Sequence, residues 1–165
     1  MTVLVTYASK HRSTQGIAEA IGSRLGERGL DAEVRPVVEV PDLERYDTVI
    51  LGSAVYFGAW LQEAQAFLDR HEEALRRVPL WLFSSGPTAP DEGMDVAVSA
   101  KLREQLDGLG ARDHHLFRGA LDRKELGLLE RTAVKAARQP IGDFRDWSEI
   151  EAWADSIADL VAHDQ

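Results

Sequence analysis

A chain of 165 residues with 44% hydrophobic content suits one compact domain over residues 1–165, has enough apolar material for a core covered on two sides, and leaves no room for two full-sized domains. A formal charge of −9 sets net repulsion against nucleic acid phosphates, no stretch gathers Lys and Arg into a stripe, and so no nucleic-acid partner is expected. The absence of cysteine excludes disulfides, iron–sulfur clusters, thiolate zinc sites and a cysteine nucleophile, so any redox work falls to an organic group.

The chain opens on Thr2 to Tyr7, β-branched and apolar without a helical period, which predicts a central strand covered on both faces. Ile17, Ile21 and Leu25 then share one helical stripe, with Gly26 and Gly29 as stop signals. Strands follow at Ala32 to Val38 and Thr48 to Leu51, a helix from Leu61 to His71, and a fourth strand at Pro79 to Phe83. About eight residues, Glu39 to Tyr46, join the second and third strands, short for a parallel crossover, and a single helical turn is expected at Leu43 to Tyr46. A helix at Asp95 to Leu106 and a fifth strand at His114 to Phe117 come next. The segment Arg118 to Trp147 is longer than an ordinary connection and holds a predicted helix at Leu126 to Ala137 before a turn-rich stretch. In the last helix Asp146 or Ser148 can act as cap, and Ile150, Trp153, Ile157 and Leu160 lie on one face. Five strands alternating with helices indicate an α/β protein with a doubly wound parallel sheet. No basic segment precedes the first strand and no apolar run approaches the roughly 18 residues of a membrane span, so a cytoplasmic protein without an integral membrane segment is expected.

Ligands of open parallel sheets bind beyond the carboxyl ends of the strands, so three loops matter most. The first, Tyr7 to Gly16, places the hydroxyls of Ser9, Ser13 and Thr14 where a helix begins and its dipole favours an anion; helix capping by Ser13 or Thr14 is the plainer alternative. Its spacing matches neither the dinucleotide nor the P-loop glycine pattern. The second, Gly52 to Trp60, offers small residues and then aromatics that can stack on a flat ring; for Tyr56 the ligand is favoured, for Trp60 packing on the next helix. The third runs from Ser84 to Pro90 and by itself is only a polar turn. His114 and His115 are neighbours on a strand, point to opposite faces and cannot share a metal; no metal site and no hydrolytic constellation emerges.

The stretches YASKHRST (Tyr7 to Thr14), GSAVYFGAWL (Gly52 to Leu61), WLFSSGP (Trp81 to Pro87) and GDFRDW (Gly142 to Trp147) resemble the flavodoxin-like superfamily, and within it the menaquinone-dependent protoporphyrinogen oxidases. The resemblance implies a five-stranded sheet in the order 2-1-3-4-5, helices on both faces and an insertion before the last helix. It implies FMN as cofactor, with Ser9, Lys10, His11, Arg12, Ser13 and Thr14 around the phosphate. Ser53, Ala54, Val55, Tyr56, Phe57 and Gly58, together with Ser85, Gly86 and Pro87, would then lie at the isoalloxazine ring. Arg12 departs from the glycine of relatives, and a positive φ there would be strained.

The resulting expectation is an FMN-binding oxidoreductase that passes electrons from an organic substrate, a porphyrinogen among the candidates, to a quinone. No catalytic residue is assigned. The alternatives are a non-catalytic electron carrier steered by its negative charge to a basic redox protein, and an interaction protein that has lost FMN. Leu126, Leu129 and Val134 of the inserted helix pack on their own domain or are covered by a second subunit, as in a homodimer, or by a membrane surface.

Overall fold

The computed structural model describes residues 1–86, 98–122, 124, 126–136 and 141–165. The elements run β1 (Thr2–Ala8), α1 (Ser13–Glu27), β2 (Asp31–Pro36), β3 (Thr48–Tyr56), β4 (Ala59–Trp60), α2 (Gln62–Arg77) and β5 (Leu80–Ser85). They continue through α3 (Ala100–Asp107), β6 (Asp113–Phe117), β7 (Ala120–Leu121), α4 (Leu128–Ala136), β8 (Gly142–Asp143) and α5 (Trp147–His163). The main sheet has the order β2-β1-β3-β5-β6, and these strands pair in parallel throughout. With the two-residue β4 set aside as a local hairpin arm, this is the expected 2-1-3-4-5 order. Among the described residues no helix is long and apolar enough to cross a membrane.

Strand alternation divides the core into two layers. Val3, Val5, Ile50, Trp81 and Phe83 point to one face and are covered by Ile17, Ile21 and Leu25 of α1 and by Ile150, Trp153 and Ile157 of α5. Their sequence neighbours Leu4, Val49, Leu51, Leu80 and Leu82 point to the other and meet Phe67 and Leu68 of α2 and Leu102 and Leu106 of α3. Burial on both faces is what removes polar alternation from these strands. On the first side Asp155 of α5 accepts from Arg24 Nε at 2.8 Å and from Arg28 at 2.8 Å, so ion pairs close the seam that the apolar stripe opens. Asp146 caps α5 by accepting the Glu149 N–H at 3.1 Å.

Several boundaries differ from those read in the sequence: β2 ends at Pro36 rather than Val38, β5 runs to Ser85 rather than Phe83, and the inserted helix begins at Leu128 rather than Leu126. β3 runs to Tyr56, five residues past its predicted end at Leu51, because Gly52 leaves room for the ring of Phe83 on the adjacent strand; a Cβ at Gly52 would lie 2.1 Å from that ring. The connection to β3 holds a 3-10 helix at Val37–Glu39, while Leu43 to Tyr46 is a single turn closed by one hydrogen bond of 3.1 Å. α2 extends to Arg77, where Arg76 and Arg77 complement the helix C-terminus. Residues 95–97 of the third predicted helix lie outside the described residues, and its described part begins at Ala100, with Ser99 accepting the Leu102 N–H.

The insertion is pinned where it begins and ends. Ala120 and Leu121 pair antiparallel with Asp143 and Gly142, and the Phe144 N–H donates to Gly119 O at 3.2 Å. This brings α4 back to the sheet edge that carries the loops after β1, β3 and β5.

Candidate functional site

The loop after β1 passes through Ser9 to Arg12 and enters α1 with Arg12 in the left-handed region, φ 65° and ψ −6°. No side chain caps this helix, and its first turn holds no acidic residue. The leading amides of α1 thus lack the usual Ser, Thr or Asp acceptor. Capping by Ser13 or Thr14 is not what the structure shows. Ser13 Oγ accepts the Ala120 N–H at 2.9 Å, tying the insertion to the loop, while Thr14 is fully buried and its Oγ1 has no partner among the described residues. Ser9 Oγ is likewise buried and unpartnered.

A left-handed arginine carries a steric penalty of about 1–2 kcal/mol between Cβ and the following carbonyl. Arg12→Gly is therefore expected to be more stable than Arg12→Ala by about 1 kcal/mol in urea unfolding of flavin-free protein, the reverse of the ordinary ranking. Equal stability of the two variants would show the position to be unstrained.

Residues after β3 form a tight hairpin. Tyr56 pairs with Ala59, and the two residues between, Phe57 and Gly58, have φ 50° and 79°, as in the type I′ turns of two-residue loops. Ser53 is fully buried, donating to Ala54 O at 2.8 Å and accepting the Leu61 N–H at 3.1 Å; Ala54 is buried beside it. Val55 and Tyr56 are half-buried, and Phe57 is 85% exposed. Trp60 faces the core, where its Nε1 donates to Ser84 Oγ at 2.9 Å, in line with the packing role read for it. After β5, Ser85 is buried and Gly86 turns with φ 100° while its N–H donates to Phe117 O at 3.1 Å. Pro87 lies outside the described residues.

The three loops converge through close approaches. Gly86 sits against Val55 O, and Gly119 sits so near Gly86 and Ser13 that an added Cβ would be 3.1 Å from Gly86 Cα and 3.4 Å from Ser13 Oγ. Lys10 Nζ lies 5.7 Å from the centre of the Tyr56 ring. The site residue that no local pattern announces is Glu130 of α4, which pairs with His11 Nε2 at 2.5 Å and with Lys10 Nζ at 3.3 Å. Its hydrogen bond to His11 holds the Glu130 carboxyl below the usual carboxylate range. Burial, with Glu130 nearby, pushes the Tyr56 phenol up to about 12, so it stays neutral.

His114 and His115 point to opposite faces as expected from strand alternation. His114 Nε2 is 2.8 Å from Ser84 Oγ, and His115 Nε2 is 2.7 Å from Glu149. Burial depresses His114 to about 4, which makes it the acceptor of the Ser84 hydroxyl proton. Among the described residues no group of three or more His, Cys, Asp or Glu is placed to hold a metal.

Comparison with known proteins places this arrangement. The family model for the flavodoxin domain matches residues 4–148. The chain is 30% identical over 175 aligned residues to the protoporphyrinogen IX dehydrogenase [quinone] of Escherichia coli strain K12, covering 98% of this chain and 97% of that protein. A flavodoxin from the domain Archaea superposes with a TM-score of 0.66 at 18% identity, over 99% of this chain and 100% of its own. The rubredoxin oxygen:oxidoreductase of Desulfovibrio gigas gives 0.67 at 15% identity, over 98% of this chain and 36% of its own. These two solved structures speak for the fold, and the family match indicates a flavin cofactor and a redox role. Two buried hydroxyls beside an uncapped helix, next to a glycine-lined sheet edge, are the local chemistry such a cofactor needs, and the chain belongs to the flavodoxin domain family.

Proposed function

We propose that this protein is an FMN-dependent oxidoreductase that takes electrons from an organic substrate of the porphyrinogen type and passes them to a quinone. The observation that carries the cofactor reading is the pair of orphaned hydroxyls, Ser9 Oγ and Thr14 Oγ1, buried where the first amides of α1 have no side-chain cap. Buried polar groups in native proteins are almost always bonded, so two unpartnered donors at a positive helix end call for an anion with several acceptor oxygens. A phosphate monoester meets that demand. Ser9 to Thr14 would hold the phosphate, with the cation of Lys10 or Arg12 at its rim, and Val55 to Gly58 together with Gly86 would border the ring.

When bound, the flavin supplies the electron-accepting and electron-donating chemistry, and the chain supplies orientation and electrostatics. Tyr56, neutral at physiological pH, offers an aromatic face and a hydroxyl donor without adding charge beside the ring. Gly58 and Gly86, both at positive φ, turn the backbone in a way L side chains rarely adopt, with Ser99 and Val55 O lying beside the space a Cβ would need. The insertion is tied to the loop through Ser13, His11 and Lys10 and would border the cofactor on that side. The substrate and acceptor are inferred from the named activity of the curated relative, whose length this chain matches almost fully.

Absorption spectroscopy of the purified protein tests the reading. Bands of bound flavin, release of FMN on denaturation, and quinone-dependent oxidation of protoporphyrinogen are the expected results. Correctly folded protein that binds no FMN would remove the proposal. Flavin that cycles only with a protein donor would instead make this a carrier, a role its charge of −9 suits by steering towards basic partners.

A further inference from the structure

A cavity of about 720 Å³ opens between the loop after β1 and the insertion, with Arg12, Lys124, Arg131 and Arg145 set against Asp122 and Asp143 in its lining. His11, Arg12 and Ser13 of the phosphate loop line it on one side, while Ser9, Thr14 and the loops after β3 and β5 do not, so it adjoins the cofactor pocket and continues from it along the insertion. Its charge is opposite to that of the molecule, which carries −9 overall. Arg145 is already neutralised, donating to Asp143 at 2.9 and 2.7 Å. Among the described residues Lys124 Nζ and the two terminal nitrogens of Arg131 have no partner, and Arg131 Nε is held by Leu126 O at 3.1 Å, which fixes the guanidinium stem. The adjacent Glu130 anchors this part of α4 to Lys10 and His11. Ala120 lines the cavity, and its neighbour Gly119 sits against Gly86 at the sheet edge.

We propose that this cavity receives carboxylate groups of the organic substrate, with Lys124 and Arg131 as the residues that recognise them. The inference rests on the oxidoreductase reading above and adds to it the means by which the substrate is selected. Among the described residues a guanidinium with two free terminal nitrogens and an ammonium without a partner share one cleft, and both are matched by carboxylates, which a planar guanidinium binds through two hydrogen bonds. The volume falls within the range of small-molecule sites, about 300–1,000 Å³. A flat macrocycle whose edge meets the ring site can reach the cavity with short carboxylated arms.

The test uses the flavin-loaded full chain. Binding of protoporphyrin IX, a dicarboxylate, is compared with that of its dimethyl ester in the same nonionic detergent, by porphyrin absorbance, for the parent and for the double variant Lys124→Gln/Arg131→Gln. The parent is expected to bind the dicarboxylate at least about tenfold more tightly than the ester, with the difference shrinking as salt is added. The variant is expected to lose about tenfold or more towards the dicarboxylate, with ester binding and flavin content unchanged. A parent that does not distinguish acid from ester, or a variant that binds the acid as the parent does, overturns the proposal. Charge-dependent binding without turnover of protoporphyrinogen would leave this site standing and remove the oxidoreductase reading instead.

Discussion

Ser9→Ala/Thr14→Val is expected to lose FMN affinity by about 100-fold or more while its flavin-free form melts no lower than the parent. Each hydroxyl donating to a charged acceptor contributes roughly 1.5–3 kcal/mol, so removing two accounts for that loss. In the flavin-free protein the same hydroxyls are buried without a partner, and such a group opposes folding by about 1–3 kcal/mol. Deleting them relieves that penalty, and for Thr14→Val the shape is preserved. Opposite signs for binding and stability separate a ligand-holding role from a structural one, because a structural hydroxyl would lower both. Thr6 supplies the control: its Oγ1 is also buried and unpartnered, but it lies inside β1, paired in register with Arg35 and Leu51. Thr6→Val should leave FMN affinity alone. Fluorescence titration of FMN and thermal melts measure both quantities, and an affinity within threefold of the parent's would show that the phosphate lies elsewhere.

A second large effect is expected from acid. His114 is half-buried between β5 and α3, with burial dominating to give about 4, Asp107 and Asp113 drawing its pKa up, and Arg103 and His115 pushing it down. Unfolding restores the ordinary value near 6.5, so as pH falls the unfolded chain takes up a proton first. Stability on this account is complete above about 6.5, declines through the interval down to about 4, and is unaffected by this group below that. The loss amounts to about 2 kcal/mol, because each tenfold change in proton affinity is worth about 1.4 kcal/mol and solvent reaching a half-buried ring discounts the total. Urea unfolding from pH 7 to 4 checks it against His114→Gln, which keeps a polar group for the Ser84 hydroxyl. The variant should shed most of the slope that the parent shows over this range, and identical slopes would assign acid sensitivity to carboxylates such as Asp155, held near 2 by Arg24 and Arg28.

The inserted helix shows where sequence reading stops. Of the three apolar residues read onto it, Leu126 is buried at 5% exposure but precedes the helix, Val134 is half-buried, and Leu129 is 86% exposed beside a similarly exposed Leu128. Helical spacing marks a stripe, but which part of the stripe meets the domain depends on how β7 and β8 set the helix down. The extension of β3 was hidden for a different reason. Gly52, Ser53 and Ala54 have little strand propensity of their own, and their place in the sheet is decided by Phe83 filling the space beside Gly52.

Local pattern by itself determined the alternation of strands and helices, the parallel sheet buried on both faces and the opposed directions of His114 and His115, and it narrowed the last helix's cap to Asp146 or Ser148, of which the structure takes Asp146. All of these follow from side-chain periods of two and 3.6 residues and from chemistry within one turn of chain. Tertiary structure alone decided that Ser13 accepts from Ala120 across 107 residues, and that Glu130 closes on His11 across 119. It likewise decided that Ser9 and Thr14 keep their hydroxyls unpartnered. Such pairings depend on the order in which strands meet and on where a 30-residue insertion returns to the sheet edge, distances over which periodicity carries no information.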